Sequence, residues 1–150
     1  MMRTRSLVVV ALVIGVALLF AGSLSAGTKA EDVMKLEAAY PHTKGIVQFS
    51  HKKHSTDYKG TCGDCHHDKD GKPLAALKDG GAVQKCIECH TKPGEKPKGK
   101  DAPKLDAKAA RQYHAEALHD NCQGCHKEWN KKNNSKAAPT TCAKCHGGKD

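Results

Sequence analysis

Cys62-Gly-Asp-Cys65-His66, Cys86-Ile-Glu-Cys89-His90, Cys122-Gln-Gly-Cys125-His126 and Cys142-Ala-Lys-Cys145-His146 decide how this chain is read. These pentapeptides use all eight cysteines, and each repeats one order: thiol, two residues, thiol, histidine. Zinc ribbons and short-loop disulfides also place cysteines two residues apart, but neither needs a histidine after every second thiol. Covalent haem attachment does. Two thiols at that spacing add across the two vinyl groups of one haem, and the next residue brings its imidazole to the iron from the proximal side. The pattern predicts four covalent c-type haems, held by Cys62 and Cys65, Cys86 and Cys89, Cys122 and Cys125, and Cys142 and Cys145. Their proximal iron ligands would be His66, His90, His126 and His146.

The composition around these sites makes the same demand. Much of the 38% hydrophobic fraction lies in the first 26 residues, and the whole chain has six aromatic residues (Phe20, Tyr40, Phe49, Tyr58, Tyr113, Trp129). The chain beyond Ala26 is rich in Lys, Gly, Asp and Ala, a mixture that offers too little apolar surface to offset chain entropy. Small domains of this kind rely on a staple or cofactor. Four apolar macrocycles leave about 30 residues for each haem, a thin wrapping in which the haems pack against one another.

The N-terminus carries Arg3 and Arg5, an apolar run over residues 7–21 and small residues through Ala26. This is a signal-peptide layout, and the run falls short of the roughly 20 residues needed to span a bilayer. Residues 1–26 are expected to be a cleaved export signal and residues 27–150 a single tetrahaem domain in the periplasm, with no stable membrane insertion after cleavage.

Six histidines remain for the distal faces of four irons: His42, His51, His54, His67, His114 and His119. Methionine, the ligand that raises the potential, is nearly absent, because Met1 and Met2 leave with the signal and only Met34 stays. The expectation is four six-coordinate, low-potential bis-histidine haems. In Phe49-Ser50-His51-Lys52-Lys53-His54 the two histidines are three apart and share one face of a helical turn, so one short segment can serve two haems. His67 directly succeeds a proximal histidine and projects differently, toward a neighbouring iron. An Ala-, Leu- and Lys-rich stretch from about Leu105 reads as the one longer helix and ends at His119, three residues before Cys122. His114 and His119 compete for one distal place, with His119 favoured. His42, after Pro41, reads as a solvated loop residue.

Together these residues resemble the class III cytochromes c, the tetrahaem cytochrome c3 family and its three-haem relatives. The resemblance runs from about Val33 to His146. It is most specific in the Phe-x-His-x-x-His segment at Phe49 to His54, in the Cys62-to-His67 run ending in a double histidine, and in the histidine ahead of the third site. It implies a small multihaem cytochrome of loops and short α-helices, with an N-terminal two-stranded β-ribbon pairing residues 33–36 with 46–49. It further implies that His51 is the distal ligand to the haem of His66, His67 to that of His90, His54 to that of His126 and His119 to that of His146. Many family members have four residues between the cysteines of the second and fourth sites, whereas all four sites here have two. The Pro- and Lys-rich residues 91–104 read as a flexible surface insert.

Taking Arg3 and Arg5 from the formal charge of +9 leaves +7, and eight propionates would bring the balance to about −1. The distribution says more. Lys127, Lys131, Lys132, Lys136, Lys144 and Lys149 crowd round the third and fourth sites, where they would steer acidic redox proteins. A nucleic-acid role fits neither the export signal nor the scarcity of aromatics. The function expected is a periplasmic electron carrier, not an enzyme. The resemblance implies exchange with hydrogenase or formate dehydrogenase and with membrane cytochrome complexes in anaerobic respiration. One rival is a membrane-anchored tetrahaem quinol oxidase, which would retain residues 7–21 as its anchor. The other is a haem reductase of metal ions, which needs an open iron site that the spare histidines argue against.

Overall fold

The computed structural model describes residues 30–147. The export signal expected at residues 1–26 and Lys149 lie outside them. Chain order is β1 (Met34–Leu36), β2 (Val47–Phe49), a π-helical turn (Lys53–Asp57), α1 (Cys62–Cys65), α2 (Cys86–Cys89), α3 (Ala107–Ala110), α4 (His114–Lys132) and α5 (Cys142–His146). The β-strands form an antiparallel ribbon with Met34 opposite Phe49, Lys35 opposite Gln48 and Leu36 opposite Val47, within one residue of the pairing expected at either end. Short helices, long connections and this one ribbon make up the rest of the described fold.

Three of the four cysteine pentapeptides make single helical turns, and the third lies inside α4. In α1 and α2 the turn closes by a backbone bond from the histidine N–H to the first cysteine carbonyl, at 2.8 Å for His66 to Cys62 and 2.9 Å for His90 to Cys86. Residues three and four apart share a helix face, so each turn sends both thiols and the adjoining histidine to one side. The residue ahead of each single-turn helix (Thr61, Lys85, Thr141) is extended. At the first site the Thr61 N–H also donates to the Asp64 carboxylate at 2.7 Å, which occupies a donor that a helix start leaves free.

The long helix differs from the one read in the sequence. The residues from about Leu105 form the short α3, capped by Asp106, whose carboxylate accepts the Ala109 N–H at 2.7 Å. The chain then breaks at residues 111–113 and restarts as the 19-residue α4, which runs through the third site to Lys132. The break arises from competition for backbone groups. The Gln112 carbonyl accepts the Lys92 N–H, the Lys92 carbonyl accepts the His114 N–H, and the Arg111 carbonyl accepts Nδ1–H of His90. Helix propensity, worth tenths of a kcal/mol per residue, gives way to such tertiary bonds.

These bonds also revise the reading of residues 91–104. The first part of that segment is tied down: Lys92 bridges Tyr113, the Gly94 carbonyl accepts the Ala115 N–H at 3.0 Å, and Lys96 pairs with Glu116. Beyond α4, Asn134 adopts a left-handed conformation that ends the helix. Asn130 then holds the returning chain at Ala138 from both sides, accepting its N–H at 3.1 Å and donating to its carbonyl at 2.9 Å. This clasp returns the chain along α4 and leads it into the fourth site.

Among the described residues only Ala110 and His114 are buried. The polypeptide makes a shell rather than a core, and Tyr58 and Trp129 remain exposed. No helix among the described residues is long and apolar enough to cross a membrane.

Candidate haem-binding site

At least one thiol of each of the other three pentapeptides lies near Cys122 of the third. No cysteine is in a disulfide, and burial pushes the Cys122 thiol up to about 11, with Cys65, Cys145, Cys86 and Cys125 adding to the effect. Cys65 is raised by burial first and then by Cys125 and its other neighbours. Members of all four sites are therefore close enough to influence one titration. Contacts between α2 and α4, and between β2 and α5, hold them there.

The histidines meet in pairs across different elements. The rings of His54, from the π-helical turn, and His126, from α4, have centroids 6.1 Å apart. His67, just after α1, stands 5.9 Å from His90 at the end of α2, and His119 of α4 stands 6.2 Å from His146 of α5. Two imidazoles bound to opposite sides of one metal, each nitrogen at about 2 Å with its ring centre about 1.1 Å behind, would have centroids about 6.2 Å apart. The three spacings fit one iron between each pair. His66 and His51 are also neighbours: the His66 pKa is lowered by burial first and then by repulsion from His51 and His67.

Five of these eight rings have a fixed tautomer. Nδ1 lies against a backbone carbonyl in His54 (Ser50, 2.9 Å), His67 (Asp68, 2.7 Å), His90 (Arg111, 2.5 Å), His126 (Pro139, 2.6 Å) and His146 (Gly45, 2.8 Å). A carbonyl oxygen only accepts, so Nδ1 carries the proton and Nε2 keeps its lone pair for a metal. Such a bond also orients the ring and raises its basicity as a ligand. No sequence signal marks these acceptors, because every residue has a carbonyl.

The two remaining histidines are used differently. His114 is buried and hydrogen-bonded through Nδ1 to the Tyr40 hydroxyl at 2.9 Å, which ties the start of α4 to the β1–β2 connection. Burial holds its pKa below the ordinary histidine value, with smaller effects from His90 and His42. His42 is exposed, yet its Nε2 lies within hydrogen-bond distance of both the Ala38 N–H (3.2 Å) and the Ala38 carbonyl (3.0 Å), and its ring stacks on Tyr40 at 5.1 Å. It staples a turn instead of standing free in solvent. Met34 sits in the ribbon opposite Phe49.

Thiols in neighbouring pairs, imidazoles at the separation of axial partners and a shell without a protein core define a multihaem cytochrome. The Class III cytochrome C family matches residues 26–146, and the chain belongs to that family of electron-transfer proteins, which carry four covalently bound c-type haems. The chain is similar to cytochrome c3 of Desulfovibrio desulfuricans, with 34% identity over 119 residues, covering 78% of this chain and 93% of that protein. It is equally similar to cytochrome c3 of Maridesulfovibrio salexigens, at 34% over 119 residues, covering 78% of this chain and 92% of that one.

Proposed function

We propose that this protein is a periplasmic electron shuttle whose four haems are attached through Cys62 and Cys65, Cys86 and Cys89, Cys122 and Cys125, and Cys142 and Cys145. His66 and His51, His90 and His67, His126 and His54, and His146 and His119 serve as their axial pairs. The observation that carries this reading is the separation of 5.9–6.2 Å between three cross-element histidine pairs. Each haem, when bound, supplies a one-electron ferric/ferrous couple. The chain contributes two imidazoles to each iron, which keeps the potential low and leaves no open position for a substrate. It also fixes the mutual arrangement of the sites: α4 presents His119, Cys122, Cys125 and His126 on one rigid element, and so bears on two haems at once.

Mass spectrometry of the mature protein under denaturing conditions is expected to give the apoprotein mass plus four haems. Spectra of the native protein are expected to show low-spin haem in both oxidation states and no carbon monoxide binding. Three haems on fully matured protein, or a high-spin fraction near one in four, would overturn the reading.

Partners are redox proteins. The preference proposed here, for acidic faces such as those of periplasmic hydrogenase or formate dehydrogenase and of membrane cytochrome complexes, rests on Lys127, Lys131, Lys132, Lys136 and Lys144. All five are exposed, and none takes part in the four ion pairs among the described residues. Two of them sit in the last turn of α4, where cations also complement the helix dipole. Electron exchange with an acidic partner is expected to slow at least tenfold between 0.01 and 0.15 M salt, as the Debye length contracts from about 30 to about 8 Å. Charge reversal of Lys131 and Lys132 to Glu should flatten that dependence, and an unchanged salt profile would remove these lysines from the docking face.

A further inference from the structure

Gly45 lies in the connection between β1 and β2, where it passes the C-terminal site. Its carbonyl accepts Nδ1–H of His146 at 2.8 Å across 101 residues of sequence. The same residue also lies close against the His146 backbone. A Cβ placed on Gly45 would lie closer than 3.0 Å to the His146 carbonyl oxygen, nearer than real Cβ atoms come, and the obstacle is main chain that cannot rotate away. Gly45 is not among the glycines with positive φ, so glycine is required here for space and not for backbone conformation. The other four carbonyls that hold a histidine Nδ1 belong to Ser50, Asp68, Arg111 and Pro139, which all carry side chains.

We infer that Gly45 is a positioning residue for the fourth haem, setting the orientation and basicity of its proximal ligand by clasping His146 through both its ring and its main chain. The inference rests on the proposed role of His146. A carbonyl on Nδ1 makes Nε2 a stronger donor, and a stronger donor favours the ferric iron. The clasp therefore lowers the potential of one haem through a contact that neither ligand nor attachment motif contains. It also couples the ribbon to the electron-transfer site, because β2 begins two residues after Gly45 and packs on α5.

The test is Gly45→Ala in the holoprotein, read by redox titration with each haem assigned by NMR. The ferric/ferrous equilibrium of the haem at Cys142 and Cys145 is expected to move about tenfold toward the ferrous form, about 59 mV for a one-electron couple, while the other three hold. Thr43→Ala, in the same connection, should move none. Equal shifts in all four haems, or no shift in any, would overturn the inference. If Gly45→Ala does not mature, the unsubstituted holoprotein decides. The His146 ring N–H proton should exchange with solvent far more slowly than that of an exposed histidine, and exchange at the exposed rate would overturn the clasp. Loss of the underlying ligand assignment would look different: the His146 ring resonances would then lack the hyperfine shift of an iron-bound imidazole.

Discussion

The chain made without haem attachment is expected to be unfolded, with a coil-like far-UV spectrum, no cooperative melt and a radius of gyration near the unfolded value. For about 120 residues that value is about 35 Å, against about 14 Å for a compact domain of the same length. The reason is the burial pattern. Each residue ordered on folding costs about 1–2 kcal/mol of backbone entropy, and among the described residues only Ala110 and His114 are buried to offset it. Nor are the secondary elements self-supporting. The ribbon pairs three residues a strand, α1, α2 and α3 have four residues each, and isolated helices shorter than about 12 residues are marginal in water. Among the described elements only α4 is long enough to persist in part, so a residual helical signal traceable to residues 114–132 is compatible with the expectation. Small-angle scattering of the apoprotein decides the matter, and a compact particle with a cooperative thermal transition would show that protein contacts alone hold the shell.

That dependence explains which parts of the molecule were legible in the sequence. The thiol-and-histidine motifs proposed to hold the haems were, because the chemistry they would serve is local: two thiols and an imidazole fall within one i→i+4 closure, which spans five consecutive residues. The ribbon was placed within a residue at either end through the family resemblance. The break before α4 was not legible, since Leu105 to His119 has the composition of one helix and only the arrival of Lys92 and His90 from elsewhere in the chain takes the carbonyls of Gln112 and Arg111. The roles of Tyr40 and Gly45 were hidden for the same reason. Their partners lie as far as 74 and 101 residues away, and neither a hydroxyl nor a carbonyl announces the distant group it will meet.

The competition between His114 and His119 shows how the two kinds of information combine, and it yields the second large effect. From the sequence both histidines stand ahead of the third site on one helical stretch. In the structure His119 faces His146 with ring centroids 6.2 Å apart, nearly perpendicular at 87°, whereas His114 is buried with its Nδ1 held by Tyr40. Replacing His119 by Met is expected to leave four haems attached and to raise the potential of one of them, the haem at Cys142 and Cys145, by well over a tenfold change in its reduction equilibrium. Thioether sulfur favours ferrous iron more than imidazole does. Its stability should change little, because methionine is flexible and fills an irregular gap. Replacing His114 by Met should do the reverse. It strands the Tyr40 hydroxyl in a part-buried site, an expected cost of about 1–3 kcal/mol, and loosens the anchor between the β1–β2 connection and the start of α4, while the four potentials stay within the scatter of the parent. Tyr40→Phe separates the two effects further, since it removes the same hydrogen bond without touching a histidine and should reproduce the stability loss in weaker form. A redox titration and a chemical denaturation of each variant suffice. A potential shift in His114→Met with none in His119→Met would reassign the fourth axial pair and require α4 to enter the third site rotated from the orientation seen in the structure.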